Sequence, residues 1–167
     1  NSYTNSLLVD FRDSEGAAAS AWWKLDETSG TAVSDSSGSG NIGTLNGGTW
    51  AGGKVNNCLD FNGISNYVNI NNSNLSSISN TFTISFWVSP DAERTVTAET
   101  NTGIAGTSGQ RYALMPRIRG GGTDATHAGV GVSVGTNGIS VFEHSDSYLP
   151  SVLVDNFAIS GWTHVAI

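Results

Sequence analysis

The stretch Thr81–Ser89, with the sequence TFTISFWVS, alternates large apolar residues with small polar ones. In an extended strand every second side chain points to the same face of the sheet. Four large apolar residues therefore share one face, namely Phe82, Ile84, Phe86 and Val88. The opposite face carries Thr and Ser residues together with Trp87. This period-two pattern predicts a β-strand with one face buried against a core.

Similar alternation recurs along the chain, whereas the spacing typical of an amphipathic helix is nearly absent. In Ala128–Val134 three valines alternate with Gly and Ser. Asn137-Gly138 then predicts a type I′ hairpin turn that leads into a strand over Gly138–His144. The other candidate strands are Ser6–Arg12, Ala21–Leu25, Cys58–Phe61, Tyr67–Ile70, Gln110–Ile118 and Gly161–Ile167. Many short strands separated by turn residues predict an all-β, two-sheet sandwich.

Composition excludes several classes of partner. The sequence has seven Lys and Arg residues against fourteen Asp and Glu residues, which gives a net charge of −7. Binding to nucleic acid or to an anionic membrane surface needs clustered cations, so we expect neither partner. No apolar run reaches the roughly 20 residues that cross a bilayer, so we expect no membrane insertion. Cys58 is the only cysteine, which excludes an intrachain disulfide and predicts a buried free thiol.

From Ala21 onward, eight short blocks follow one another in a characteristic order. They are Trp23–Glu27 (WKLDE), Ser29–Thr31 (SGT), Asp35–Gly38 (DSSG), Asn41–Leu45 (NIGTL), Leu59–Gly63 (LDFNG), Tyr67–Ile70 (YVNI), Phe82–Asp91 (FTISFWVSPD) and Gly161–Ala166 (GWTHVA). Taken together, they resemble the LamG-like jelly roll of the concanavalin A-like lectin and glucanase superfamily. The resemblance implies a curved, antiparallel jelly-roll sandwich, commonly a carbohydrate- or protein-binding module of secreted and surface proteins, often with bound Ca²⁺.

The resemblance covers residues 21–167 and implies one LamG-like domain there, preceded by an N-terminal extension over residues 1–20 that adds the strand Ser6–Arg12. Members of the family usually continue past the Trp-x-His-Val-Ala strand with a hairpin and a closing strand. We therefore expect this chain to be part of a longer polypeptide. The alternative is that a second copy, another chain or Ser6–Arg12 completes the sandwich by strand addition.

The densest polar segment predicts a ligand site near the end of the strand Gly138–His144. Glu143 and Asp146 could hold sugar hydroxyls or a cation, and Tyr148 could stack on a sugar face, or it could instead cover the edge of the core. Arg111 could pair with acidic loops or bind a carboxylated sugar. We select Arg111, Glu143, Asp146 and Tyr148 as candidate ligand-binding residues.

A second candidate site lies in the loops that follow Leu25. Asp26, Asp35 and Asn41 offer carboxylate and amide oxygens, which are the ligands of a structural Ca²⁺ ion, and the family resemblance carries this expectation. The alternative is that Asp35 hydrogen-bonds only its own turn. Trp50 lies in a Gly-rich loop and could serve as a sugar platform, although most Trp residues are core candidates.

Catalysis is the weakest hypothesis, and we expect no enzyme. The carboxylate pairs Asp13/Glu15 and Asp91/Glu93 have the spacing of a glycosidase pair but lie in turn-like contexts. No signature of a Ser-His-Asp triad, a zinc site or a phosphate loop occurs.

We therefore predict a non-catalytic binding or adhesion module of a secreted or cell-surface bacterial protein that recognises a glycan or a surface protein. The absence of disulfides favours the bacterial source. The alternative is a structural subunit of an adhesin, pilus or extracellular filament. A glycoside hydrolase is the third possibility.

Overall fold

The computed structural model describes residues 3–6, 19–70, 75, 78, 81–94, 111–115, 129–144 and 148–167. These residues form twelve β-strands in three antiparallel sheets, and no α-helix occurs among them. The predicted all-β class is confirmed. In this described part of the chain, no helix is long and apolar enough to cross a membrane.

The chain divides into two compact units. The first comprises Asn1–Ser89 with Gly161–Ile167, and the second comprises Pro90–Ser160. The strands of the first unit are β1 (Tyr3–Ser6), β2 (Ala32–Val33), β3 (Gly43–Asn46), β4 (Thr49–Gly52), β5 (Asn57–Phe61), β6 (Tyr67–Ile70), β7 (Ser85–Ser89) and β12 (Thr163–Ala166). Those of the second unit are β8 (Tyr112–Leu114), β9 (Gly129–Gly135), β10 (Gly138–His144) and β11 (Tyr148–Asp155).

The first unit contains two sheets, which share one hydrophobic cluster. Five strands follow the order β12-β7-β1-β5-β4, and three follow the order β2-β3-β6. Leu59 and Trp50 enter the cluster from the five-stranded sheet, and Val33, Leu45 and Val68 enter it from the three-stranded sheet. Two sheets that bury their faces in a common core are compatible with a β-sandwich.

The second unit contains one sheet with the order β11-β10-β9-β8. Its strand ladder is reinforced by the buried Arg94, whose Nη2 donates to the carbonyl oxygens of Ile139 (3.1 Å) and Val154 (3.2 Å). Ile139 and Val154 face each other across β10 and β11. The Arg94 side chain therefore ties the two strands together at that position.

Several predicted strands are confirmed to within one residue at their ends. Tyr67–Ile70 and Gly138–His144 coincide with β6 and β10, Cys58–Phe61 lies within β5, and Ala128–Val134 matches β9. Of the predicted strand Ser6–Arg12, only Ser6 is described, as the last residue of β1, and residues 7–12 lie outside the described part of the chain. Of the predicted strand Gln110–Ile118, residues 111–115 are described, and Tyr112–Leu114 among them form β8.

The stretch Thr81–Ser89 forms a strand only from Ser85 onward. Phe86 and Val88 are buried as predicted, but Phe82 is 41% exposed. The ladder with β12 extends one residue further back, because Ile84 and Ile167 exchange two backbone hydrogen bonds of 2.9 Å each. Alternation shows which face a strand can bury. It does not show how far a neighbouring strand continues to cover that face.

The predicted strand Ala21–Leu25 is wrong. Ala21, Trp23 and Leu25 are buried, but only an isolated bridge joins Trp23 to Asp35, and Leu25 has a left-handed φ of 59°. The Trp22 N–H donates to a carboxylate oxygen of Asp35 rather than to a neighbouring strand. In Ala21–Leu25 the alternating residues are buried, but they do not form a strand ladder.

The predicted type I′ turn at Asn137-Gly138 is also wrong. Gly135 and Gly138 are paired, so the two-residue loop is Thr136-Asn137, and neither residue has a positive φ. The carboxamide of Asn137 instead accepts from the Arg94 N–H and donates to the Arg94 carbonyl oxygen, both at 3.0 Å. This tertiary pairing fixes the turn residue.

Candidate functional site

A shallow depression of about 340 Å³ opens where the chain passes from β3 to β4. Trp50 forms its aromatic wall, and the exposed residues Thr28, Thr31 and Thr49 lie around it. The remaining lining residues in the described part of the chain are Gly and Leu, and none of these lining residues is charged. An indole surrounded by hydroxyl groups and backbone is a neutral, hydrogen-bonding environment.

Two glycines shape the turn between β3 and β4. Gly47 and Gly48 have φ angles of 71° and 80°, in the left-handed region that side-chain-bearing residues rarely adopt. A Cβ atom at Gly48 would also lie 2.9 Å from the carbonyl oxygen of Asp60. The turn therefore requires glycine at Gly48 both for its conformation and for its packing.

Hydrogen bonds hold the Trp50 ring and the loop beside it. The Trp50 Nε1 donates to the Gly30 carbonyl oxygen at 2.9 Å, and the Leu45 N–H donates to the Thr31 carbonyl oxygen at 2.7 Å. Trp50 also packs against the hydrophobic cluster while remaining partly accessible. An aromatic ring that is already fixed in position loses little conformational freedom when a ligand binds.

A second polar centre is built around the carboxylate of Asp35. Its Oδ1 accepts from the backbone N–H groups of Trp22 and Ser37, each at 2.9 Å. Its Oδ2 accepts from the Ser37 hydroxyl at 2.8 Å, and from the Asn41 backbone and side-chain nitrogens at 2.9 and 3.1 Å. The buried Asn41 also accepts from Trp23 Nε1 through its carbonyl oxygen, at 2.6 Å. One carboxylate thus joins three segments of backbone.

The hydrogen bonds of Asp35 determine its protonation. Burial alone would raise the pKa of this carboxyl, but the backbone N–H groups of Ser37, Trp22 and Asn41 and the Ser37 hydroxyl outweigh it and lower the pKa to about 2. The side chain is therefore ionised at neutral pH and acts as a hydrogen-bond acceptor.

The structure brings together two of the three predicted calcium ligands. Asp35 and Asn41 are hydrogen-bonded to each other, whereas the Asp26 carboxylate accepts from the Asn56 side chain at 3.3 Å. Five N–H and O–H donors occupy the Asp35 oxygens, which a Ca²⁺ ion would have to displace. The side-chain oxygen of Asn41 is buried without a hydrogen-bond partner in the described part of the chain, and the expected Ca²⁺ site stays a prediction. Within the described ranges, no group of three His, Cys, Asp or Glu side chains could hold a metal ion.

Three of the four predicted ligand residues are described, and they do not lie together in the second unit. Glu143 pairs with Leu149, and His144 pairs with Tyr148, so Glu143 and Tyr148 lie near one end of the β10–β11 hairpin. Asp146 lies outside the described residues. Arg111 precedes β8; its backbone N–H donates to Ser133 Oγ at 3.0 Å, and its Nε donates to the Glu93 carbonyl oxygen at 3.4 Å.

The strand register shows how far Arg111 lies from Glu143 along the sheet. Ser133 lies beside Arg111, whereas Glu143 faces Val130, three residues further along β9. Three residues correspond to about 10 Å along a strand. The backbone therefore gathers Glu143 and Tyr148 at one end of the sheet and places Arg111 well along it.

Sequence reasoning identified Trp50 as a possible platform but did not single out the threonines around it. Trp50 stood out because it is a large aromatic residue between Gly47-Gly48 and Gly52-Gly53. Thr28, Thr31 and Thr49 have no sequence signal of their own, because only the contact between the loop before β2 and the β3–β4 turn brings them together.

Comparisons of this chain with models of known protein families, with curated proteins and with solved structures find no match. The resemblance to LamG-like jelly rolls therefore stays a prediction.

Proposed function

We propose that this chain is a non-catalytic recognition module of the LamG-like jelly-roll type that binds a neutral sugar in the depression beside Trp50. In this proposal it belongs to a secreted or cell-surface bacterial protein. The observation that supports it is the combination of a fixed, partly accessible indole with three exposed threonines, and with no charged side chain among the described lining residues.

The chemistry of the depression matches that of a pyranose ring. The C–H groups on one face of such a ring contact the face of an indole, while its hydroxyl groups exchange hydrogen bonds with hydroxyls and backbone groups. The volume of about 340 Å³ lies at the small end of the range for ligand sites, about 300–1,000 Å³. A shallow site of this kind suits one or two sugar units of a longer glycan.

The lining also favours binding over hydrolysis. Glycosidases use two carboxyl groups about 5–9.5 Å apart, one on each side of the scissile bond. The described residues that line the depression are Thr, Gly, Leu and Trp, and none of these can act as that acid or base. The proposal therefore assigns recognition to this site.

Calorimetric titration with neutral trisaccharides of glucose, galactose and mannose tests the proposal. We expect at least one of them to bind, and we expect Trp50→Ala to weaken that binding at least about tenfold, as for an aromatic residue central to an interface. Trp50→Phe keeps an aromatic ring but loses the hydrogen bond to the Gly30 carbonyl oxygen. The affinity of this variant should therefore fall between those of the wild type and Trp50→Ala.

Phe82→Ala provides the control, because Phe82 is an exposed aromatic residue of the same unit that does not line the depression. Its affinity should equal that of the wild type, and circular dichroism should show that all variants are folded. Unchanged affinity in Trp50→Ala, or no binding of any neutral trisaccharide, would contradict the proposal.

A further inference from the structure

A second aromatic cluster of the first unit combines an indole with two cation-forming side chains. Trp87 lies in β7, His164 lies in β12, and Lys54 lies in the turn between β4 and β5. The ring centroids of Trp87 and His164 are 5.2 Å apart, and Lys54 Nζ is 5.4 Å from the Trp87 centroid. His164 and Lys54 are exposed, and Trp87 is partly exposed, so solvent reaches the cluster.

Strand pairing and a hydrogen bond hold His164 in place. His164 and Trp87 are directly opposite in the β12–β7 ladder, so their side chains share one face of the sheet. His164 Nε2 lies 3.0 Å from Oγ of the buried Ser85. When the Ser85 hydroxyl donates to Nε2, the neutral imidazole carries its proton on Nδ1 and offers an N–H to a ligand.

Lys54 supplies a positive charge that no carboxylate neutralises among the residues the structure describes. The chain has two lysines, and the other, Lys24, lies over Trp22 with its Nζ 4.4 Å from the ring centroid. Both lysines thus make cation–π contacts. Only the Trp87 ring has, in addition, a described imidazole beside it.

We propose that Lys54, Trp87 and His164 form a second subsite, which binds the carboxylate of an acidic sugar. The inference rests on the proposed function in one respect, namely that the chain binds carbohydrate. The Lys54 ammonium and the His164 N–H donate to the carboxylate, and the indole contacts the apolar part of the sugar ring. A neutral sugar lacks the group that these donors bind, so the two subsites select different sugars.

Titration with trigalacturonic acid, with neutral galactotriose as the uncharged counterpart, tests the subsite. We expect the wild-type chain to bind trigalacturonic acid, and we expect Lys54→Met to weaken this binding at least about tenfold, because it removes the charge but keeps the length of the side chain. Lys54→Arg should restore most of the affinity. About 0.5 M NaCl should also weaken binding, since the site is exposed to salt screening.

Lys24→Met is the matched control, since it removes the other lysine that lies over an indole. Its affinity for trigalacturonic acid should stay within about twofold of wild type. Equal losses in Lys24→Met and Lys54→Met would overturn the assignment, because they would reflect net charge alone. No binding of trigalacturonic acid to the wild type would overturn it as well, as would binding of a sulfated galactotriose in its place.

Trp50→Ala separates this inference from the proposed function. If the inference holds, that variant binds trigalacturonic acid with wild-type affinity. Loss of trigalacturonic acid binding in Trp50→Ala would overturn the second subsite, because both sugars would then share the first. Binding of neutral sugars without binding of trigalacturonic acid would overturn the inference and leave the proposed function standing.

Discussion

Two loops of the first unit are each organised by one side chain, and the two side chains differ in charge. In the loop over residues 34–41, the carboxylate of Asp35 accepts five hydrogen bonds. In the loop over residues 62–66, the carboxamide oxygen of Asn62 accepts from the backbone N–H groups of Ile64, Ser65 and Asn66 at 2.9, 3.0 and 3.3 Å. The first loop is anchored by a charged acceptor and the second by a neutral one.

The two anchors also differ in reach. Asn62 bonds residues two to four positions ahead, which is the local pattern of an Asx turn. Asp35 also bonds residues 13 and 6 positions away, and so joins the segment around Trp22 to the segment around Asn41. A carboxylate has two oxygens and about four lone-pair sites, so it can serve several segments at once. The comparison indicates that the charged side chain connects distant segments of the chain, whereas the neutral one orders only its own turn.

The largest effect is expected from removing the Asp35 carboxylate. Asp35→Ala leaves the N–H donors of Trp22, Ser37 and Asn41 without their acceptor, and Asn41 is fully buried. We expect the free energy of unfolding to fall by about 3 kcal/mol, in line with leaving buried donors unsatisfied. Urea denaturation followed by circular dichroism measures this loss.

Asp91→Ala is the control for Asp35→Ala, since Asp91 is an exposed acidic residue whose removal should change the free energy by less than about 0.5 kcal/mol. Equal losses in the two variants would contradict the role given to Asp35. A rise in Tm in millimolar CaCl₂ that Asp35→Ala abolishes would show instead that the site binds Ca²⁺, as the family resemblance implies.

Acid should remove the stabilisation that the ionised Asp35 side chain gives to the fold. The folded-state pKa of Asp35, about 2, lies below its ordinary value of 3.8, so the ionised form stabilises the fold above the ordinary value. This stabilisation is lost as the pH falls from about 4 to about 2. We expect the difference in unfolding free energy between wild type and Asp35→Asn to be largest at about pH 7 and to shrink through that interval.

Urea titrations of the wild type and of Asp35→Asn at a series of pH values measure this difference in unfolding free energy. Ionisable groups that both proteins contain affect both free energies equally, so their contribution cancels in the difference. Asp91→Asn should track the wild type throughout. A difference that stays constant down to about pH 2 would mean that Asp35 is not the titrating group.

The comparison also separates what the sequence could predict from what it could not. Strands β6, β9 and β10 were predicted to within one residue because alternation and flanking turn residues are local signals. The position of β1 between β5 and β7 has no such signal, since it depends on pairing between residues far apart in the chain. For the same reason the alternation of Ala21–Leu25 predicted burial correctly and a strand incorrectly.

In the candidate sites too, the sequence predicts single residues but not the contacts between distant ones. Cys58 was predicted to be a buried thiol, which is confirmed; burial raises its pKa to about 11, and the Asp60 carboxylate adds to the effect. A single residue of that kind carries its own signal in its type and in the strand around it. Asp35 and Trp50 were singled out, but the Trp22 N–H that donates to Asp35, and Thr28 and Thr31 beside Trp50, come from other segments of the chain. No spacing in the sequence encodes those contacts.

The smallest effect is expected from substitutions of Asn62, which test the comparison between the Asp35 loop and the Asn62 loop. Asn62 is exposed, so in Asn62→Ala water can reach the three N–H groups that lose their acceptor, and we expect a loss of only about 1 kcal/mol. Urea denaturation of Asn62→Ala at about pH 7 measures this loss.

Asn62→Asp keeps an oxygen in place and should retain wild-type stability at about pH 7. Because the new carboxylate would accept hydrogen bonds from the same N–H groups, the stabilisation that it gives should decline in acid, as it does for Asp35. Urea denaturation of both Asn62 variants at about pH 7 and at about pH 3 tests this. An Asn62→Asp variant with the same acid response as the wild type would show that the acid sensitivity of Asp35 depends on its burial, and not on its charge and hydrogen bonds alone.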